Sequence, residues 1–201
     1  MGGFITAVGE VHVQAGRIVT MTFHDSYAVD DFSQPYPTPP EPLQRFLAID
    51  LWVFRDSNWS PDFPTSVRQG LELYRPRAKQ RAVSADEIDG VVALDQRAVQ
   101  QVIEALEPVS VSGFEAALTG ETVMDYVYQL WAPEEGEAKG EWWRQRKSFM
   151  KPLAMAVFQK VQGGQVDWGK LAHIMLRLLD EKHELLYFSD PKTESVLLER
   201  G

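Results

Sequence analysis

"IDGVVALDQRAVQQVIEALEPVSV", residues 88–111, is the stretch on which the fold class turns. Ile88 to Leu94 is a short apolar run of strand length, suited to a buried strand. Asp95 stands where a helix N-cap belongs, and Ala98, Val99, Val102, Ile103 and Leu106 then recur at helical spacing. Pro108 ends that helix and another short apolar strand follows. Strand, capped helix and strand in immediate succession imply an α/β chain.

The N-terminal side supplies a hairpin. Ile5, Ala7, Gly9, Val11 and Val13 alternate with more polar positions, as do Val19, Met21 and Phe23. A three-residue loop, Gln14-Ala15-Gly16 with Gly16 left-handed, sets Val13 opposite Arg17 and Val11 opposite Val19. In that register His12 faces Ile18 and His24 faces Thr6, too far apart to share a metal ion. Residues 33–45, "SQPYPTPPEPLQR", carry prolines at 35, 37, 39, 40 and 42 and read as an extended strap over the domain. Phe63, Val67, Leu71 and Tyr74 mark a helix that starts near residues 61–65 and stops before Pro76. Asp56, Asn58 and Asp62 precede it and read as its capping residues.

On the C-terminal side, "LTGETVMDYVYQLW" opens a helix at Thr119 with Val123, Val127 and Leu130 on one face. Acidic "APEEGEAKGE" interrupts, and 141–162 is again helical, with Trp142, Phe149, Leu153 and Val157 inward and Pro152 as a kink. An Asp167-capped helix to about Glu181, the strand "ELLYFSD" and a short last helix complete the chain. The expectation is one α/β domain over 1–201, a single layered domain with a mixed, partly antiparallel sheet packed by helices. His173 and His183 read as helix-face or loop-end residues.

Composition narrows the function classes. At 201 residues and 44% apolar, the chain can bury a proper core. A net charge of −9 opposes nucleic-acid binding, which needs a field of Lys and Arg. With no cysteine, disulfides and thiolate zinc sites are excluded. No stretch reaches the roughly 18 consecutive apolar residues of a membrane span. Phosphate-binding glycine loops, HExxH, GxSxG and EF-hand patterns are absent, and no nucleophile, base and cofactor motif stand together. The abrupt start on a strand at Phe4 reads as a fragment of a longer protein whose anchoring segment lies upstream.

Taken in order, "GGFITAVGEV…GRIV…DSYAVDD", "FRDSNWSPDFPTS", "DGVVALD", "LTGETVMDYVY" and "RKSFM…LLYFSDP" resemble the bacterial domain-of-unknown-function family 4012. That resemblance implies an extracytoplasmic domain of the cell envelope, attached to the membrane only through segments absent from this chain. The motif order is also similar, more distantly, to the LytR-CpsA-Psr proteins, which transfer glycopolymers from polyprenyl pyrophosphate to the cell wall. In those proteins arginines and an aspartate hold pyrophosphate and magnesium, a use of charge-assisted contacts.

By this second resemblance Asp25 matches the metal-holding aspartate, and a ligand site would comprise His24, Asp25, Tyr128, Arg144 and Arg146. His24 and Tyr128 stand where the transferases have arginine, and Arg144 and Arg146 match the later arginine pair only in outline. The resemblance therefore implies a degenerate module that binds a polyprenyl-phosphate or envelope glycan, with Mg2+ as the ion, and transfers it poorly if at all. The alternative is a non-catalytic envelope scaffold that binds another protein. From residue chemistry alone, Asp25 is equally suited to cap the loop after its strand, Asp30 and Asp31 read as solvated, and Arg144 and Arg146 fit an exposed helix face.

Overall fold

The computed structural model describes residues 3–78, 88–114, 116–131, 150–164 and 166–198. Among them are two antiparallel two-stranded sheets and seven α-helices, so the chain is α/β as expected. By its internal contacts it divides into two compact units, one of residues 1–92 with 186–201 and the other of residues 93–185.

In the first unit β1 (Ala7–Gln14) pairs antiparallel with β2 (Arg17–Asp25). The connection is two residues, not three: Gln14 faces Arg17, and Ala15 (φ 50°) and Gly16 (φ 74°) both adopt left-handed backbone. That is the turn whose twist matches a hairpin. A two-residue turn alone would misalign the apolar faces, and a bulge corrects this, the register shifting between His12 and Val13. Val11 thus faces Met21, His12 faces Thr20 and His24 faces Val8. The far half of the hairpin lies open, with Val11, Val13 and Val19 about half exposed.

The proline-rich segment contains a helix, α1 (Glu41–Leu47), where an extended strap is expected. Pro42 falls in its first turn, where a missing N–H costs nothing. Next, α2 (Phe63–Ala78) runs on past Pro76 instead of stopping before it. Asp62 caps it as expected, accepting the Thr65 N–H at 2.9 Å. Val29, Phe54, Leu73 and Tyr74 form the core of this unit, and Ile5, Val8, Trp52 and Ile88 pack against them. The Tyr74 hydroxyl donates to the Glu10 carboxylate, tying α2 to β1.

The second sheet joins β3 (Gly90–Leu94) to β4 (Glu184–Phe188), with flanking bonds from Ser189 N–H to Asp89 O and from Asp95 N–H to His183 O. β3 is not the buried strand its apolar run suggested, since Val92 and Leu94 are half exposed. A two-stranded ribbon has no neighbours to cover both faces.

In the second unit α3 (Gln96–Leu106) is central. Asp95 caps it through the Ala98 N–H at 3.0 Å. Ala98 and Ala105 pack against Ile174 and Leu178 of α6 (Trp168–Asp180), itself capped by Asp167 on the Lys170 N–H. Ile103 and Leu106 join Val123 and Val127 of α4 (Thr122–Trp131) and Leu153 and Ala156 of α5 (Met150–Gln162) in the larger core. Thr119 and Thr122 exchange side chain to backbone bonds at the start of α4, which begins at Thr122 and not at Thr119 as expected. The short strand expected after Pro108 is a single bridge, Val109 to Leu118. The last helix, α7 (Pro191–Leu198), belongs to the first unit.

Candidate functional site

β2 ends at Asp25, whose extended backbone and side chain start a 3-10 turn over Ser26–Ala28. Its Oδ1 accepts the Tyr27 N–H at 2.8 Å, the turn-capping role available to any carboxylate at such a position. The Ser26 N–H reaches Thr6 O, so the turn is fixed to the start of the hairpin.

A second 3-10 turn, Phe54–Asp56, meets the first. Asp30 joins them: its Oδ1 accepts the Phe54 N–H at 3.0 Å and the Tyr36 hydroxyl at 3.3 Å. Asp30 is therefore not the solvated carboxylate of the sequence reading. The Ile5 N–H donates to Arg55 O, adding a link to the residues that lead into β1.

On this frame the Arg55 guanidinium lies 4.5 Å from the Tyr27 ring centroid, a cation–π stack. Its Nε stands 3.7 Å from Asp56 Oδ1, an ion pair longer than a hydrogen bond. Asp56 is only 6% exposed, and Ser26 and Ser57 beside it are fully buried. Burial pushes the Asp56 carboxyl above the usual carboxylate range; Arg55 pulls it down and the nearby Asp30 charge pushes it up again. Buried acid, stacked arginine and ring are what a polar-ligand site uses.

Of the residues expected to form a site, His24 and Asp25 lie here at the end of β2, both partly buried. Tyr128 is on α4 in the second unit, 56% exposed. Arg144 and Arg146 fall outside the described residues. The sequence does not single out Arg55 or Ser57, and it presents Asp30 as a solvated carboxylate and Asp56 as a cap. The signal available was position: Asp56 lies too far ahead of Phe63 to cap α2, and Asp62 already does so.

The second unit has its own polar pair. His183 Nδ1 lies 2.7 Å from Asp95 Oδ2, and its Nε2 lies 4.0 Å from Glu181. Burial raises the Asp95 carboxyl, but the bonds from His183 and the Ala98 N–H outweigh it and hold the group below its usual range. Glu184, 4% exposed, is pushed up by burial. An open groove of about 480 Å³ also runs beside α5, lined by Ser110, Ser112, Lys151 and Met155.

Among the described residues no three His, Cys, Asp or Glu side chains come together as a metal site, and no helix is long and apolar enough to cross a membrane. No curated protein and no solved structure matches the chain. A family model described as "Protein of unknown function (DUF4012)" does match, over residues 1–130. The match takes in both 3-10 turns and ends inside α4. With well over half of its length covered, the chain belongs to the DUF4012 family.

Proposed function

We propose that this DUF4012 chain is a binding domain of the bacterial cell envelope that takes a phosphorylated, lipid-linked glycan and does not efficiently turn it over. The observation that carries the reading is Arg55 stacked on Tyr27 beside Asp25. A guanidinium supplies bidentate donors for phosphate, and an aromatic plane with neighbouring carboxylates suits a sugar ring and its hydroxyls. About a third of the Arg55 side chain is exposed, which leaves it within reach of a ligand in solvent. Asp25, already bonded to the Tyr27 N–H, orients the ring more than it reacts. The extracytoplasmic location and the upstream membrane anchor belong to the same proposal.

Calorimetric titration with a sugar 1-phosphate and with a short polyprenyl pyrophosphate, each with and without magnesium, tests it. Millimolar or tighter binding is expected, weakened about tenfold or more by Arg55→Ala, the scale of one lost charge-assisted contact. Arg55→Lys keeps the charge without the planar fork and restores part of it. Absence of binding at millimolar ligand, or binding indifferent to Arg55→Ala, overturns the reading. The scaffold alternative is supported by a different observation, the exposed side chains of Phe32, Phe46, Leu47 and Leu51 along residues 32–51.

A further inference from the structure

Among the described residues of the first unit, five buried side-chain polar atoms lack a hydrogen-bond partner: Ser26 Oγ, Asp30 Oδ2, Trp52 Nε1, Asp56 Oδ1 and Ser57 Oγ. Buried polar atoms are nearly always paired, so a group of orphans in one small region calls for a cause. Four of the five are oxygens, and two of those belong to carboxylates. The four oxygens belong to residues in or bonded to two adjoining turns. Asp30 is bonded through its other oxygen to the Phe54 N–H, Phe54 to Ser57 is a single closed turn, and Ser26 sits in the turn that meets it. Asp30 is close enough for its charge to be felt at the Asp56 carboxyl. The nearby cation does not satisfy them, because Arg55 Nε stops 3.7 Å short of Asp56 Oδ1 and the guanidinium is stacked on Tyr27.

We propose that Asp30 and Asp56, with the hydroxyls of Ser26 and Ser57, hold a hard divalent cation of the calcium class. The donor set is all oxygen, with no imidazole or thiolate, which disfavours zinc, copper and nickel. Calcium accepts irregular sets of carboxylate, hydroxyl and water oxygens, whereas magnesium demands a near-ideal octahedron and keeps most of its water. Two carboxylates, one partly offset by Arg55, supply little charge. The affinity therefore falls in the range of weak extracellular calcium sites, about 10⁻⁴ to 10⁻³ M. The inference does not depend on the glycan reading, since no atom in it is needed for Arg55 to meet a ligand.

The test is thermal unfolding of the full chain, stripped with chelator and then titrated with calcium chloride, with magnesium and sodium chloride at matched ionic strength as controls. Calcium at about 10 mM should raise Tm by about 4 °C, and magnesium by less than half as much. Asp56→Asn and Asp30→Asn should abolish the calcium shift, and Ser57→Ala should reduce it. Both Asn variants keep shape and an acceptor oxygen, so loss of the shift with an intact unfolding transition supports the site. An unchanged Tm in wild type, or an equal shift in Asp56→Asn, overturns it and leaves ordered water as the partner of these oxygens. No glycan is present, so either result stands apart from the Arg55 titration.

Discussion

Asp56→Asn, measured in chelator, should make the protein more stable at neutral pH, although it removes one partner of an ion pair. In the folded chain three effects act on this carboxylate. Burial disfavours its charge, Arg55 at 3.7 Å favours it, and Asp30 disfavours it. The net direction is upward, so burial and Asp30 together outweigh the arginine. A carboxyl raised in the native state contributes stability fully present below its unfolded value of about 3.9 and lost as pH climbs through the folded one. At pH 7 the wild type carries the cost of a buried anion with one oxygen unpartnered. Asparagine has the same shape without the charge, and it still leaves a polar atom under-bonded. The gain is therefore the charge part alone, about 1 kcal/mol, less than the full penalty of an isolated buried ion. Urea denaturation of both proteins between pH 4 and pH 8 checks this. The difference should be near zero at pH 4 and grow to its full size by neutrality. A variant less stable than wild type at pH 7, or a difference that does not change with pH, would mean that Arg55 outweighs burial and Asp30 at this carboxylate.

Two further outcomes concern the second unit. Glu184→Gln should likewise stabilise at pH 7 to 8 and have no effect near pH 4, because burial alone raises that carboxyl and its Oε2 has no partner; pH-dependent urea melts read it. Asp95→Ala removes both the cap on α3 and the bond to His183, a loss of about 2 kcal/mol at neutral pH. Since the Asp95 carboxyl is depressed, that loss should fade as pH falls through its folded value, while Asp95→Asn, which keeps the cap, should cost less.

The parts of the fold legible in the sequence are those fixed within a few residues. Asp95, Asp62 and Asp167 each satisfy backbone N–H groups one turn ahead, so residue type and spacing located the starts of three helices. What needed longer range was not legible. The hairpin register depends on a bulge near Val13 that compensates a two-residue turn, and alternation alone fits either arrangement once one residue is free to be left over. Residues 88–94 look buried because they are apolar, but among the described residues only β4 pairs with β3, and Val92 and Leu94 are left half exposed. Proline misled twice, at Pro42 inside the first turn of α1 and at Pro76 within α2.

The candidate site was less legible for the same physical reason. Asp25 was singled out as a ligand, and its carboxylate serves a bond two residues away. Asp30 and Asp56 looked ordinary because each sits in a polar loop, where an unpaired carboxylate costs nothing in water. Their significance arises when Asp30 takes the Phe54 N–H and brings the two Asp-Ser steps, Asp25-Ser26 and Asp56-Ser57, to neighbouring turns. Side chains that would be solvated in either segment alone, Ser26, Asp56 and Ser57, are then buried near one arginine. Local sequence cannot report that cost, because it does not exist until both segments are folded. An arrangement that accepts the buried Asp56 carboxylate and a buried Asp30 oxygen beside a stacked cation gives up stability where apolar side chains would have packed without penalty. Such a sacrifice fits the ligand site proposed at Arg55 and the cation site proposed at Asp56.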